Sequence, residues 1–165
     1  MSGLFEGAPD QLDIRLRRRE PVELPADALV AFERINRGKS PAPNYRWVLL
    51  EDGSLRLARH SGDTSDPDQP FDTPLPREPN AVLDDDQVAA VRDALAEAEV
   101  DSHPTYLTDP GVEDGAFSIV TVPAAGSSRE LVYDGASSPL VEGLRRVAEQ
   151  WVDSADDADG DDEDW

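Results

Sequence analysis

Two runs of strand-forming residues, Tyr45 to Leu50 and Leu55 to Arg59, are separated by a short polar stretch containing Asp52-Gly53. Asp-Gly supplies the positive backbone angles of a tight hairpin turn, so the two runs are predicted to pair antiparallel. A sheet begun this way has to bury one face against another layer. Two later segments have the pattern of that layer. In "LDDDQVAAVRDALAEAEV", Asp84 is placed to cap a helix, with Gln87 three residues on as in a capping box. Val88, Val91 and Leu95 then share one helical face, supported by Ala94 and Ala98. In "SSPLVEGLRRVAEQWV", Ser138 is the predicted cap and Pro139 fits the first helical position. Leu140, Leu144, Val147 and Trp151 form a stripe read as core packing.

Other segments extend the sheet. "AFSIVTV" and "RELVY" read as two strands, with Pro123 and Gly126 assigned to the loop between them. The segment from Ala26 to Asn36 fits a short helix or a strand. A strand over Leu29 to Ile35 is preferred because Val, Phe and Ile suit a pleat. Leu12, Ile14 and Leu16 alternate with Asp13, Arg15 and Arg17, the period of a half-buried strand. The predicted fold is α+β: an antiparallel sheet of four to six strands, two helices on one face, and an acidic disordered C-terminal tail.

Composition divides the chain into one domain with loose parts. Hydrophobic residues make up 38% of the 165 residues, and the shortfall is concentrated in two segments. Residues 61–80 carry prolines at 67, 70, 74, 76 and 79, which cannot join a central ladder. A connection this long is disordered or functional, and disorder is the reading adopted. Residues 154–165 hold the tail, where seven carboxylates fall within the last ten residues and keep a chain extended. The boundaries are therefore 1–10 as a flexible N-terminus, 11–153 as a single α+β domain with the 61–80 loop, and 154–165 as the tail.

Charge and residue usage exclude several function classes. Fifteen basic against 36 acidic residues give a net charge of −21, which repels nucleic acid and anionic membranes. That acidity fits a compositional or solubility bias, a docking surface for a basic protein, or mimicry of nucleic acid. The absence of cysteine excludes disulfides and thiolate chemistry. The two histidines, His60 and His103, have no metal-site spacing, so no metal is expected. No apolar run reaches membrane-spanning length, and no basic region precedes an apolar one at the start, so a cytoplasmic location is expected.

Three motifs fail on inspection. Gly38-Lys39-Ser40 has the ending of a phosphate-binding loop, but Glu33 stands where that loop needs glycine. Pro41 and Pro43 follow where it needs a helix. Gly160 in the tail could take the sixth position of a calcium loop, but Ala155 would fill the first and the closing glutamate would lie beyond Trp165. Gly135 to Pro139 has proline where a nucleophile elbow needs glycine. No catalytic residue and no cofactor is assigned.

The stretches "AFERINRGKSPAPNYRWVLLEDGSLRL", "LDDDQVAAVRDALAEAEV", "FSIVTV" and "RELVYDGASSPLVEGLRRVAEQ" together resemble a group of small bacterial domains. That group includes uncharacterised lipoproteins and emfourin-like inhibitors of thermolysin-type metalloproteases. The resemblance spans roughly residues 29 to 151. The turn "NRGKSPAP" is not of the inhibitors' Gly-Gly-Phe type, so no inhibitory residue is carried over. What the resemblance implies is a non-catalytic binding domain. The expected function is a non-enzymatic protein-binding module, an inhibitor or accessory subunit. The alternatives are an acidic mimic or chaperone for a basic, nucleic-acid-binding protein, and an enzyme of unknown class. The expected partner-binding residues are Arg37, Lys39 and Tyr45 near the glycine turn, and Asp157, Asp159, Asp161, Asp162, Glu163 and Asp164 in the tail.

Overall fold

A computed structural model describes residues 5–6, 22–35, 44–60, 75–100, 102, 105–108, 117–124, 127–136 and 138–147. Its strands are β1 (Phe5–Glu6), β2 (Ala28–Ile35), β3 (Asn44–Leu50), β4 (Ser54–His60), β5 (Ala81–Val82), β6 (Tyr106–Thr108), β7 (Phe117–Ala124) and β8 (Ser127–Asp134). They form one sheet in the order β1-β6-β8-β7-β2-β3-β4-β5. Every pairing is antiparallel except β6 with β8. The described helices are α1 (Asp85–Glu97) and α2 (139–147).

The α+β class and the two helices agree with the sequence reading, but among the described residues the sheet has eight strands where four to six were predicted. The five longer strands, β2, β3, β4, β7 and β8, are the predicted ones. The surplus comes from β1, β5 and β6, of two or three residues each, too short to show any periodicity. One of these, β1, lies in the segment read as a flexible start. Pro123, assigned to a loop, lies inside β7 opposite Ser128. It is tolerated because β2 pairs with β7 only as far as Thr121, so no β2 acceptor waits for the missing N–H.

The hairpin forms between β3 and β4, with Leu49 opposite Leu55. Its turn differs from the expectation. Gly53 N–H donates to Leu50 O at 3.0 Å, and only Gly53 has a positive φ, +91°; Asp52 does not. The loop is thus three residues, Glu51 to Gly53, closing with a left-handed glycine. Asp52 instead accepts from Ser54 N–H at 2.9 Å, and this bond holds its carboxyl below the usual value. Gly53 is fixed a second time by close approach: a Cβ there would lie 2.8 Å from Leu83 O. The turn thereby docks against the start of the helical layer, and Leu83 N–H donates to Gly53 O at 2.8 Å.

The end of the proline-rich segment is built into the sheet. Asn80 lies beside β4, where its side chain accepts from Leu57 N–H and donates to Leu57 O, both at 2.9 Å. This amide acts as one more residue of β5 and covers the edge that two-residue β5 leaves open. Residues 61–74, the predicted strand over Leu12 to Arg17 and the tail lie outside the described residues.

Alternation along each strand sends side chains to two faces. Val30, Phe32, Trp47, Leu49, Leu55, Val120, Val122, Leu131 and Tyr133 face the helices. They join Val88, Val91, Leu95, Leu140, Val141 and Leu144 in the main core. Both helices therefore cover one face, as predicted. On the second face, Ile35, Tyr106, Phe117 and Ile119 form one cluster. Val22, Ala28, Ala31, Val48 and Leu50 form another, with Leu24 and Leu75 packed on it.

Candidate functional site

The helical layer carries a groove on its outer surface. Helix α1 starts as the sequence indicates: Asp84 Oδ1 accepts from Gln87 N–H at 2.8 Å, and Gln87 Oε1 accepts from Asp84 N–H at 2.9 Å. Helix α2 starts where Ser138 Oγ accepts from Val141 N–H at 3.2 Å. The Tyr133 hydroxyl, in the core beneath, is hydrogen-bonded to the same Ser138 side chain. Burial pushes the Tyr133 pKa up, and the Ser138 bond opposes part of that rise. These caps fix where each helix begins and so how the two lie on the sheet.

Small residues meet where the helices run side by side. Gly143 faces Ala94, and a Cβ added at Gly143 would lie 4.0 Å from the Ala94 Cβ, an ordinary contact. The groove between them has a volume of about 250 Å³. Val91 and Leu144 form its buried floor, with Gln87, Ala90 and Ala94 of α1 on one side and Gly143, Arg146 and Val147 of α2 on the other. Val91 and Leu144 are buried, whereas Ala90 and Arg146 are exposed.

The rim of the groove is charged on the α1 side. At 100° per residue, Asp86, Asp93 and Glu97 lie within about 60° of Ala90, on its solvent side. All three are exposed. They form a row of carboxylates along one bank. The opposite bank carries Arg146, with Glu142 further around α2.

At the C-terminal end of α1 the last turn has no basic residue, and Glu99 takes a left-handed conformation with φ 51°. Glycine usually fills this position. A shallower hollow lies beside it, lined by Leu95, Ala96, Glu99, Val100 and Ser102.

The second face of the sheet holds a buried ion pair. Glu33 of β2 and Arg46 of β3 are directly opposite, and Arg46 Nη2 donates to Glu33 Oε2 at 2.9 Å. Glu33 is 0% exposed. The pair sits between the two apolar clusters of that face. Thr121, on the same face of β7, is 1% exposed, and its hydroxyl has no hydrogen-bond partner among the described residues. Nearer the sheet edge, Tyr106 OH donates to Asp134 Oδ2 at 3.0 Å. Among the described residues no group of three His, Asp or Glu could hold a metal ion. No described helix is long and apolar enough to cross a membrane.

Of the residues expected to face a partner, Tyr45 is the one the structure describes. It is 4% exposed and belongs to the main core, its ring centroid 6.1 Å from that of Phe32. Its position in β3 turns it toward the helices, so it is a packing residue and not a surface contact. Arg37, Lys39 and the six tail acids lie outside the described residues. Sequence reading did not single out the groove. Its signal was present as Ala90 and Ala94 at a spacing of four, with Gly143 in the other helix, but only Ala94 entered the reading, as support for the buried face of its helix.

No family model, no curated protein and no solved structure matches this chain.

Proposed function

We propose that this chain is a non-enzymatic protein-binding module and that its groove between α1 and α2 receives the apolar side chains of a basic protein segment. The observation that carries this reading is the pairing of a small-residue groove with a row of carboxylates on one rim. Alanine and glycine in facing helices leave room for side chains from outside, and the buried Val91 and Leu144 give those side chains an apolar floor. An accessory subunit or an inhibitor would both work through such a surface, with the sheet as a rigid support.

Displayed helical peptides selected on the full chain provide the test. Peptides that bind the parent should lose at least ~tenfold in affinity against Ala90→Trp, which fills the groove from an exposed position. Circular dichroism and a urea melt would establish that the variant is folded. Selected peptides that bind parent and Ala90→Trp equally would place binding elsewhere. Titration against a thermolysin-type metalloprotease tests the inhibitor form that the resemblance implies, and inhibition surviving Ala90→Trp would separate that activity from the groove.

A further inference from the structure

Resting on the groove reading, we infer that its occupant is an amphipathic helix with a basic edge, laid along α1 so that its cations meet Asp86, Asp93 and Glu97. Three observations converge on this partner. The walls are helical and carry Ala90, Ala94 and Gly143, so a third helix can approach closely and insert its larger side chains between them. The acidic row follows the axis of α1. At a rise of 1.5 Å per residue, Asp86 to Glu97 spans about 16 Å, some three turns of a bound helix. The two banks also differ in charge. Exposed carboxylates flank Ala90 on the solvent side of α1, and Arg146 lines the groove from α2. A basic edge facing α1 gains attraction there and keeps away from Arg146, which sets the rotation of the bound helix about its own axis.

The spacing of the acids makes the inference more specific. Asp86, Asp93 and Glu97 are separated by seven and then four residues. Cations spaced at seven and then four match them in a helix running parallel to α1, and at four and then seven in an antiparallel one. The chain's net charge of −21 adds a long-range attraction for any cation. A local docking edge has to be distinguished from that general field.

The experiment uses the full chain and three synthetic helical peptides with one apolar stripe. One has lysines on the edge beside the stripe, one glutamates and one glutamines. Binding is read by fluorescence anisotropy at low and high salt. The lysine peptide should bind at least ~tenfold more tightly than the glutamine peptide at low salt, with the difference shrinking as salt rises. The triple variant Asp86→Asn, Asp93→Asn, Glu97→Gln should abolish most of that preference while its circular dichroism stays unchanged. Neutralising three exposed acids elsewhere, Asp27→Asn, Glu51→Gln and Glu78→Gln, should leave the preference nearly intact.

Each contrary result has a separate meaning. If all three peptides bind alike and Ala90→Trp abolishes binding, the groove reading stands and the basic-edge inference is overturned. If both triple variants weaken the lysine peptide equally, the preference comes from overall charge and the inference is overturned. If no peptide binds at all, the groove reading and the inference fall together.

Discussion

Phe32 and Glu33 are neighbours in β2 and point to opposite faces of the sheet, and both are 0% exposed. Phe32 packs under the helices with its ring centroid 5.8 Å from that of Trp47. Glu33 is held on the other face by the guanidinium of Arg46. The helix-covered face is stabilised by apolar area, which is tolerant of exchange among residues of similar volume. The second face depends at its centre on a match between two charged groups. Desolvating both ions offsets most of their attraction, so the pair adds little net stability. Its consequence is for register. A two-residue slip of β2 against β3 would put Glu33 opposite Val48 or Asn44 and leave a buried carboxylate without its partner. One face thus supplies cohesion, and the other discriminates between alignments of the strands.

The largest expected effect comes from breaking the pair on one side. Glu33→Leu should cost about 3–5 kcal/mol, because Arg46 is left as a buried charge, and Arg46→Met should cost a similar amount. The double variant should return to within roughly 1 kcal/mol of the parent. Phe32→Ala should also cost about 3–5 kcal/mol, but no single change on its own face restores it, since the loss is volume. Urea unfolding of the four variants measures the contrast. Costs that simply add in the Glu33/Arg46 double variant would show that the second face, like the first, works by packing alone.

How much of this was readable from sequence follows the same division. Local signals located the hairpin, both helix starts and the five longer strands, because caps, turns and alternation act between residues close in the chain. The ion pair was not readable. Glu33 and Arg46 look like exposed positions of alternating strands, and only the pairing of β2 with β3 and the burial of the second face reverse that reading. Tyr45 failed for the same reason: an aromatic beside a glycine turn suits a contact surface, and register in β3 puts it in the core. The parallel pairing of β6 with β8 and the clamp of Asn80 on Leu57 join residues far apart in sequence, so no window of sequence contains them. The groove depends on two helices lying side by side, which neither helix encodes by itself.

A smaller effect of opposite sign is expected at Thr121. Its hydroxyl is buried on the second face without a hydrogen-bond partner among the described residues. Thr121→Val keeps the shape and removes the unsatisfied group, so it should stabilise the protein by about 1–2 kcal/mol. The site is one strand from β2, so the gain also asks whether the polar character of this face reaches beyond the ion pair. A loss on substitution, read from the urea midpoint at unchanged slope, would mean that the hydroxyl is used there, and that the second face carries a wider polar network than Glu33 and Arg46.

The smallest expected effect tests whether the two faces are independent. Asp84→Ala removes the side-chain half of the α1 capping box and should cost ~1 kcal/mol. The cap lies at the edge of the helical layer, and Glu33 and Arg46 lie across the sheet from it, with no shared hydrogen-bond partner among the bonds described for either. Changes at well-separated sites add to within about 0.3–0.5 kcal/mol. Asp84→Ala in the Glu33→Leu/Arg46→Met background should therefore cost the same ~1 kcal/mol as in the parent. A cost that grows well beyond this would show that loosening the second face also loosens the helices, through the strands that carry both. The banks of the groove would then be held in place partly by the buried pair, and the cohesive and the discriminating face would be one cooperative unit.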